Sequence, residues 1–346
     1  MSQDDSPFII RDLMDKKGIG VNALSSLTEK NGAKVDSSLI SRLITGKSKN
    51  PNFETLDRIA RALGVEIKDL LKSSKKRECI GIVNAKGGVG KTTTSIMISN
   101  MFSKLNKDVV FIDNDPNQNT TKWFLNWLRA KKEFQACEEL SHKIENKNIA
   151  TLLLDDHPNL DEYLHKIKGT SIRLLPSSID YRDIERHLPK FGKDNLLKHK
   201  LSKLECDYII IDNLGGIDTQ KAVWGISNAT ICVIPTTLIT FSMQLMPEVI
   251  SRVMQIQRDF SLEKPKLPII FPNMFNSSVS TSHEGLNFLE EKYKDYLLKD
   301  HSQKTLYLSK SDHVLDFIDN NIDINTSTLP YKQMQRFVIH LQERLV

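Results

Sequence analysis

Apolar positions run through this 346-residue chain in two different rhythms. Up to about residue 71 they recur at helical spacing in short segments, which predicts four or five small helices over residues 8–71. Val21 to Leu27 reads as one helix, followed by a turn at Asn31-Gly32. Asp36 is placed to N-cap a second helix from Ser37 to Ile44, with Leu39, Ile40 and Leu43 facing inward. Thr45-Gly46 ends it. A third helix, Phe53 to Leu63, turns Leu56, Ile59, Ala60 and Leu63 to the core and stops at Gly64.

Beyond residue 78 the rhythm becomes one of short continuous apolar runs, each bounded by turn residues. The runs are Cys79–Val83, Val109–Ile112 and Tyr208–Ile211. Helical patterns alternate with them, for example through Ile96, Met97 and Met101, and from Tyr181 to Leu188. Such alternation predicts an α/β fold with a doubly wound, mostly parallel sheet, preceded by a small all-α domain. Met334, Phe337, Leu341 and Leu345 share one face of a C-terminal helix, which is expected to dock on its own domain and not on a membrane. The expected boundaries are a helical domain at 1–72, a basic linker at 73–78 and the α/β domain at 79–346. No internal repeat is visible.

Composition narrows the class. Apolar residues make up 39% and charged residues 26%, as in globular proteins with sizeable cores. No run approaches the roughly 18 apolar residues of a membrane span. The start carries Asp4 and Asp5 and no apolar core, so no secretory leader is expected. Cys79, Cys137, Cys206 and Cys232 lie far apart without a C-x-x-C, so neither a disulfide framework nor a zinc site is expected of them, and a reducing cytoplasm is. The net charge of +5 is uneven: the first 78 residues hold 15 Lys and Arg against 11 Asp and Glu. The excess sits on the helical domain, where a nucleic-acid contact is most simply placed.

The chemistry is densest at Ala85-Lys86-Gly87-Gly88-Val89-Gly90-Lys91-Thr92-Thr93-Thr94. A buried strand entering a glycine-rich turn and then a helix makes a phosphate cradle, with backbone N–H groups and the helix N-terminus facing the anion. Gly87, Gly88, Val89, Gly90, Lys91, Thr92 and Thr93 would hold the nucleotide, with Lys91 on the β- and γ-phosphates and the Thr92 hydroxyl on Mg²⁺. Two further strands end in carboxylates. Val109–Ile112 leads into Asp113-Asn114-Asp115-Pro116-Asn117-Gln118, and Asp207–Ile211 into Asp212-Asn213-Leu214-Gly215-Gly216. Strand ends of this kind lie at the ligand edge of a parallel sheet. Asp113 and Asp115 also read as turn and helix caps.

These residues resemble the ParA/MinD family of deviant Walker A ATPases. Lys86 matches the family's extra loop lysine, and Ala85 stands where the strict Walker A has glycine. The resemblance implies ATP and Mg²⁺ as cofactors and an ATP-dependent sandwich homodimer, with Lys86 reaching the partner's nucleotide. It implies that Asp115 orients the attacking water and that Asp113 and Asp212 support the metal, as Thr92 does. Ile172–Ser178, Ala229–Thr236 and Ile269–Phe275 resemble further core strands of the family, the last leading to the loop that holds the adenine, where Asn273 would meet the base or simply form a turn. The segment after Asp212 departs from the family's D-x-P-P. Slow, partner-stimulated hydrolysis, non-specific DNA binding, a ParB-like centromere-binding partner and a cytoplasmic, nucleoid-associated location follow from the same resemblance. The cysteines do not fit the cluster-bridging iron proteins that share the loop.

The helical domain is similar to the Cro/C1-repressor type of helix-turn-helix, on Ile40–Gly46, Asn50–Leu56 and Ile59–Val65. Ile44-Thr45 replaces the family's common Glu-Arg. The likeness implies a recognition helix whose Ser37, Ser38, Ser41 and Arg42 read base edges, with Lys47 and Lys49 on phosphates. A docking module without DNA contact is the alternative for this domain. For the chain, DNA partition is the leading expectation. A nucleotide-sensing transcription regulator and a positioning ATPase for a protein cargo remain the other two.

Overall fold

The computed structural model describes residues 6, 8–30, 32–48, 51–70, 77–188, 195–260, 266–319 and 323–345. The chain divides into two compact units, Met1–Lys76 and Arg77–Val346.

The first unit contains α1 (Ile10–Lys17), α2 (Val21–Glu29), α3 (Ser37–Ile44), α4 (Phe53–Leu63) and α5 (Ile67–Leu70). Both caps expected for the middle helices form. Asp36 Oδ1 accepts from Ser38 N at 2.7 Å, and Gly64 closes α4 in the left-handed conformation. Asn52 caps the start of α4 by accepting from Thr55 N at 2.8 Å. Ile10, Leu24, Ile40, Leu43, Ile59 and Leu63 form a common core. Leu39 and Leu56 are only half-buried at its margin.

The second unit runs β1 (Glu78–Ile82), α6 (Lys91–Lys104), β2 (Val109–Asn114), α7 (Asn119–Ala130), α8 (Phe134–Asn146), α9 (Ile149–Leu154), α10 (Leu160–Tyr163), β3 (His165–Lys166), β4 (Ile172–Leu175), α11 (Leu196–Lys200), β5 (Tyr208–Asn213) and α12 (Gln220–Asn228). It continues through β6 (Ile231–Thr237), α13 (Thr240–Gln244), α14 (Met246–Phe260), β7 (Ile269–Asn273), α15 (Ser280–Lys292), α16 (Asp312–Asp319) and α17 (Leu329–Leu345). The strand order is β3-β4-β2-β5-β1-β6-β7, parallel except for β3 at the edge. Successive strand residues alternate between the two faces of the sheet. Ile80, Ile82 and Phe111 face α6, α7 and α17, whereas Cys79, Val110 and Ile112 face the opposite layer.

Two expectations shift and one holds. The linker expected at 73–78 is shorter at its end, because Glu78 already belongs to β1 and Arg77 Nη1 donates to Leu201 O and Leu204 O. Residues 71–76 lie outside the described residues. The segment expected as a helix from Tyr181 to Leu188 is a 3-10 helix, Ile179–Arg186. The C-terminal stripe docks as expected: Met334, Phe337, Leu341 and Leu345 are buried in the sheet core, with Phe337 4.1 Å from Phe271 between ring centroids. Among the described residues no helix is long and apolar enough to cross a membrane.

Candidate functional site

The glycine loop leaves β1 at Asn84, whose side chain pins its base. Asn84 Nδ2 donates to Pro235 O at 2.8 Å, and Oδ1 accepts from Lys86 N at 2.9 Å. Gly88 and Gly90 take φ of 72° and 87°, the left-handed region that side chains disfavour. Such turns shape a backbone concavity suited to an anion. The loop then runs into α6 at Lys91, so the concavity meets the positive end of a 14-residue helix. Gly87 and Gly88 are exposed, and Thr92 and Thr93 half-buried.

Lys91 is 9% exposed, and its Nζ donates to Lys86 O at 3.0 Å. Burial lowers its pKa, while the Asp212 and Asp115 carboxylates oppose that shift. Lys86 points elsewhere. Its Nζ donates to Ser242 Oγ at 2.9 Å and lies 5.0 Å from the centroid of the Phe241 ring. Ser242 and Thr237 share a hydrogen bond of 2.6 Å, so this lysine is tied to the chain's own β6–α13 connection.

Asp113 and Asp212 end adjacent strands as register partners. Asp113 accepts from Thr121 N at 2.8 Å and Thr121 Oγ1 at 2.6 Å through Oδ2, and from Asp115 N at 3.2 Å through Oδ1. It therefore works as an internal cap of α7, as well as lying at the site. Burial first, then repulsion from Asp212, raises its pKa to about 8. Asp212 accepts from Thr120 Oγ1 at 2.6 Å through Oδ2, but its Oδ1 is buried with no hydrogen-bond partner among the described residues. Burial raises Asp212 to about 6, with the hydroxyls of Thr120 and Thr92 opposing. An orphaned buried carboxylate oxygen beside a threonine hydroxyl is the donor set a hard cation takes, so these residues fit Mg²⁺. Asp115 is 8% exposed and accepts from Asn117 N at 2.8 Å.

Asn273 is 2% exposed; its Nδ2 donates to Val89 O at 2.9 Å and its Oδ1 accepts from Met274 N at 2.8 Å. The amide buttresses the phosphate loop from beneath. It also explains Gly90, where a Cβ would lie 2.1 Å from Asn273 Nδ2.

Sequence reasoning missed a polar layer one residue beyond the paired aspartates. Asn114 Nδ2 donates to Asn213 Oδ1 at 2.8 Å and to Lys221 O at 2.7 Å, and its Oδ1 accepts from Tyr181 Oη. Asn213 Nδ2 returns to Ile82 O at 3.1 Å, which ties β1, β2 and β5 together just behind the loop. The repeated Asp-Asn at two strand ends was the available signal.

In the helical unit, Ser38, Ser41, Arg42 and Lys47 are exposed, and Ser37 is half-buried. Thr45 Oγ1 donates to Ser41 O at 2.9 Å, closing the end of α3. Ile44 is buried in the core, which accounts for an apolar residue where the related repressors often carry a charge. Lys49 lies outside the described residues.

Residues 77–269, more than half of the chain, match a family model described as an AAA domain, and residues 10–76 match a Cro/C1-type HTH DNA-binding domain. The chain belongs to the ParA/MinD-type AAA-domain family. Its relatives include the sporulation initiation inhibitor protein Soj of Bacillus subtilis, 32% identical over 139 residues, which is 38% of this chain and 48% of Soj. The chromosome partitioning protein ParA of Myxococcus xanthus is 32% identical over 140 residues, 38% of this chain and 43% of that protein. The chain thus spans about half the length of the curated relatives it matches. The same fold occurs in a putative plasmid partition protein from Borrelia burgdorferi B31 bound to AMPPNP, with TM-score 0.61 and 22% identity over 78% of this chain and 99% of that one. It also occurs in Cyanothece apo McdA, with TM-score 0.60 and 19% identity over 78% of this chain and all of that one. The ParA/MinD-type unit is therefore the α/β body, and the HTH domain is carried ahead of it on the same chain.

Proposed function

We propose that this chain is a DNA-partition ATPase that binds ATP with Mg²⁺, dimerises on it, and hydrolyses it slowly until a ParB-like partner stimulates turnover. The observation that carries this reading is the convergence of Lys91 and the orphaned Asp212 Oδ1 at one glycine loop, with a second lysine, Lys86, at its head. Lys91 would neutralise the β- and γ-phosphates. Thr92 and Asp212 would hold Mg²⁺, which supplies charge neutralisation of the transferred phosphoryl group. Asp115 would orient the attacking water. Lys86 would leave Ser242 and Phe241 to meet the partner's nucleotide, so the cis contact is the monomer's resting state. The dimer would coat DNA non-specifically through basic residues, and the helix-turn-helix would add a specific operator.

Imaging a tagged plasmid with and without this gene tests the reading. Positioned, stably inherited copies should become randomly placed and be lost when the gene is deleted. Unchanged positioning overturns the partition role. The exposed Ser41 and Arg42 on α3 support a second reading, a nucleotide-sensing transcription regulator. That reading expects altered expression of adjacent genes and no change in inheritance. A protein cargo in place of DNA would leave plasmid inheritance and gene expression both unchanged and mislocalise the cargo.

A further inference from the structure

Far from the nucleotide loop in sequence, a short turn and the end of α17 bring two histidines and a glutamate together. His340 and Glu343 lie three residues apart on α17 and share a face. His301 sits in a turn that Asp300 closes: its Oδ1 accepts from Ser302 N at 2.8 Å and Lys304 N at 3.0 Å, and Asp300 N donates to Lys304 O at 2.9 Å. Lys299 and Thr305 bridge the base of this turn. The two imidazole rings are 4.7 Å apart between centroids, and His301 Nε2 is 3.9 Å from Glu343 Oε1. One donor atom from each of the three side chains lies within 4.8 Å of the other two.

The decisive group is His340. Its Nδ1 lies 2.9 Å from Arg336 O. A carbonyl only accepts, so Nδ1 carries a proton, and in the neutral ring Nε2 presents its lone pair. That Nε2 is buried and has no hydrogen-bond partner among the described residues. A buried acceptor without a donor is costly. The same arrangement, one ring nitrogen donating to a backbone carbonyl and the other presenting its lone pair, is how histidine is held for metal ligation.

We propose that His301, His340 and Glu343 bind a zinc ion, with water completing the shell. Zinc takes imidazole nitrogen and carboxylate oxygen at about 2.0–2.2 Å, which sets tetrahedral donors roughly 3.3 Å apart. His340 is the fixed ligand. The side chains of His301 and Glu343 are 82% and 53% exposed, so both are free to swing inward to that spacing. Two imidazoles select against Mg²⁺, which prefers an all-oxygen octahedron. The bound ion ties the Asp300–Thr305 turn to the helix whose opposite face packs on the sheet.

Untagged full-length protein, stripped with EDTA and free of nucleotide, is titrated calorimetrically with ZnCl₂ and separately with MgCl₂. One zinc per chain is expected. Cobalt loading should give the strong visible absorption of a four-coordinate ion. His340→Gln and His301→Gln should each weaken zinc binding at least about tenfold and abolish the cobalt bands, with ATP binding retained. Absence of zinc binding by the wild type overturns the proposal. So does binding undiminished in both variants, or binding that disappears only on Asp212→Asn, which would assign the ion to the nucleotide site.

Discussion

Asp113 and Asp212 are register partners on adjacent parallel strands, and both are fully buried beside one another at the ligand edge of the sheet. Burial leads both shifts, and mutual repulsion adds to Asp113, which reaches about 8 while Asp212 reaches about 6. Two carboxylates so placed hold a proton in the absence of a cation.

The pH dependence of stability follows. A carboxyl whose folded pKa lies above its unfolded value of 3.8 binds more protons folded than unfolded between those values. Its contribution to stability is therefore greatest at low pH and is lost as pH rises toward about 8. In EDTA, the wild-type melting temperature should fall from pH 5 to pH 8 more steeply than that of Asp113→Asn, which keeps an acceptor for Thr121 N. Parallel curves for the two proteins would remove the assignment.

The two loop lysines should separate. Lys91→Ala should abolish ATP binding, measured by fluorescent-nucleotide titration, because it deletes the charge aimed into the cradle. Lys86→Ala should still bind ATP but fail to dimerise on it, and non-specific DNA binding with ATP should vanish, since two basic faces release more counterions than one. Light scattering and a DNA shift assay read both. A Lys86→Ala protein that dimerises and coats DNA like wild type would reduce Lys86 to an ordinary loop lysine held by Ser242.

Asp115→Ala should keep the ATP-dependent dimer while phosphate release falls by at least about tenfold, because orienting water acts on the transition state and not on the ground state. Loss of the dimer would make Asp115 structural, acting through its contact with Asn117 N.

Arg42→Ala should cost about 1–3 kcal/mol at a specific operator and leave ATP turnover unchanged. Footprinting on the DNA upstream of the gene is the measurement. Identical protection by both proteins would end the base-reading claim.

Gly225→Ala should destabilise the α/β unit by about 1–3 kcal/mol through overpacking, after any gain in helix propensity. A Cβ there would lie 1.7 Å from Asn213 Oδ1, which accepts from Asn114. Urea denaturation gives the value. A variant as stable as wild type would mean that the Asn114–Asn213 layer repacks freely.

Local signals were legible in the sequence because they depend on neighbours a few residues away. The Asp36 cap, the Gly64 stop, the apolar strand runs and the glycine loop are all set by short-range sterics and hydrogen bonding. The apolar stripe of α17 was legible for the same reason, since helical periodicity alone puts Met334, Phe337, Leu341 and Leu345 on one face. What tertiary structure decided is which distant groups meet. Asn273 reads in sequence as a residue facing the base or forming a turn; only the parallel sheet delivers its amide to Val89 O, nearly two hundred residues earlier. Lys86 reads as a residue for a partner, yet the β6–α13 connection gives it a hydroxyl and a ring of its own chain. The raised pKa of Asp113 beside Asp212 needs β2 and β5 to be neighbours, a pairing no local pattern specifies. Burial, and the long-range contacts that create it, set these charges and partners; the periodicity of the chain sets only the elements that carry them.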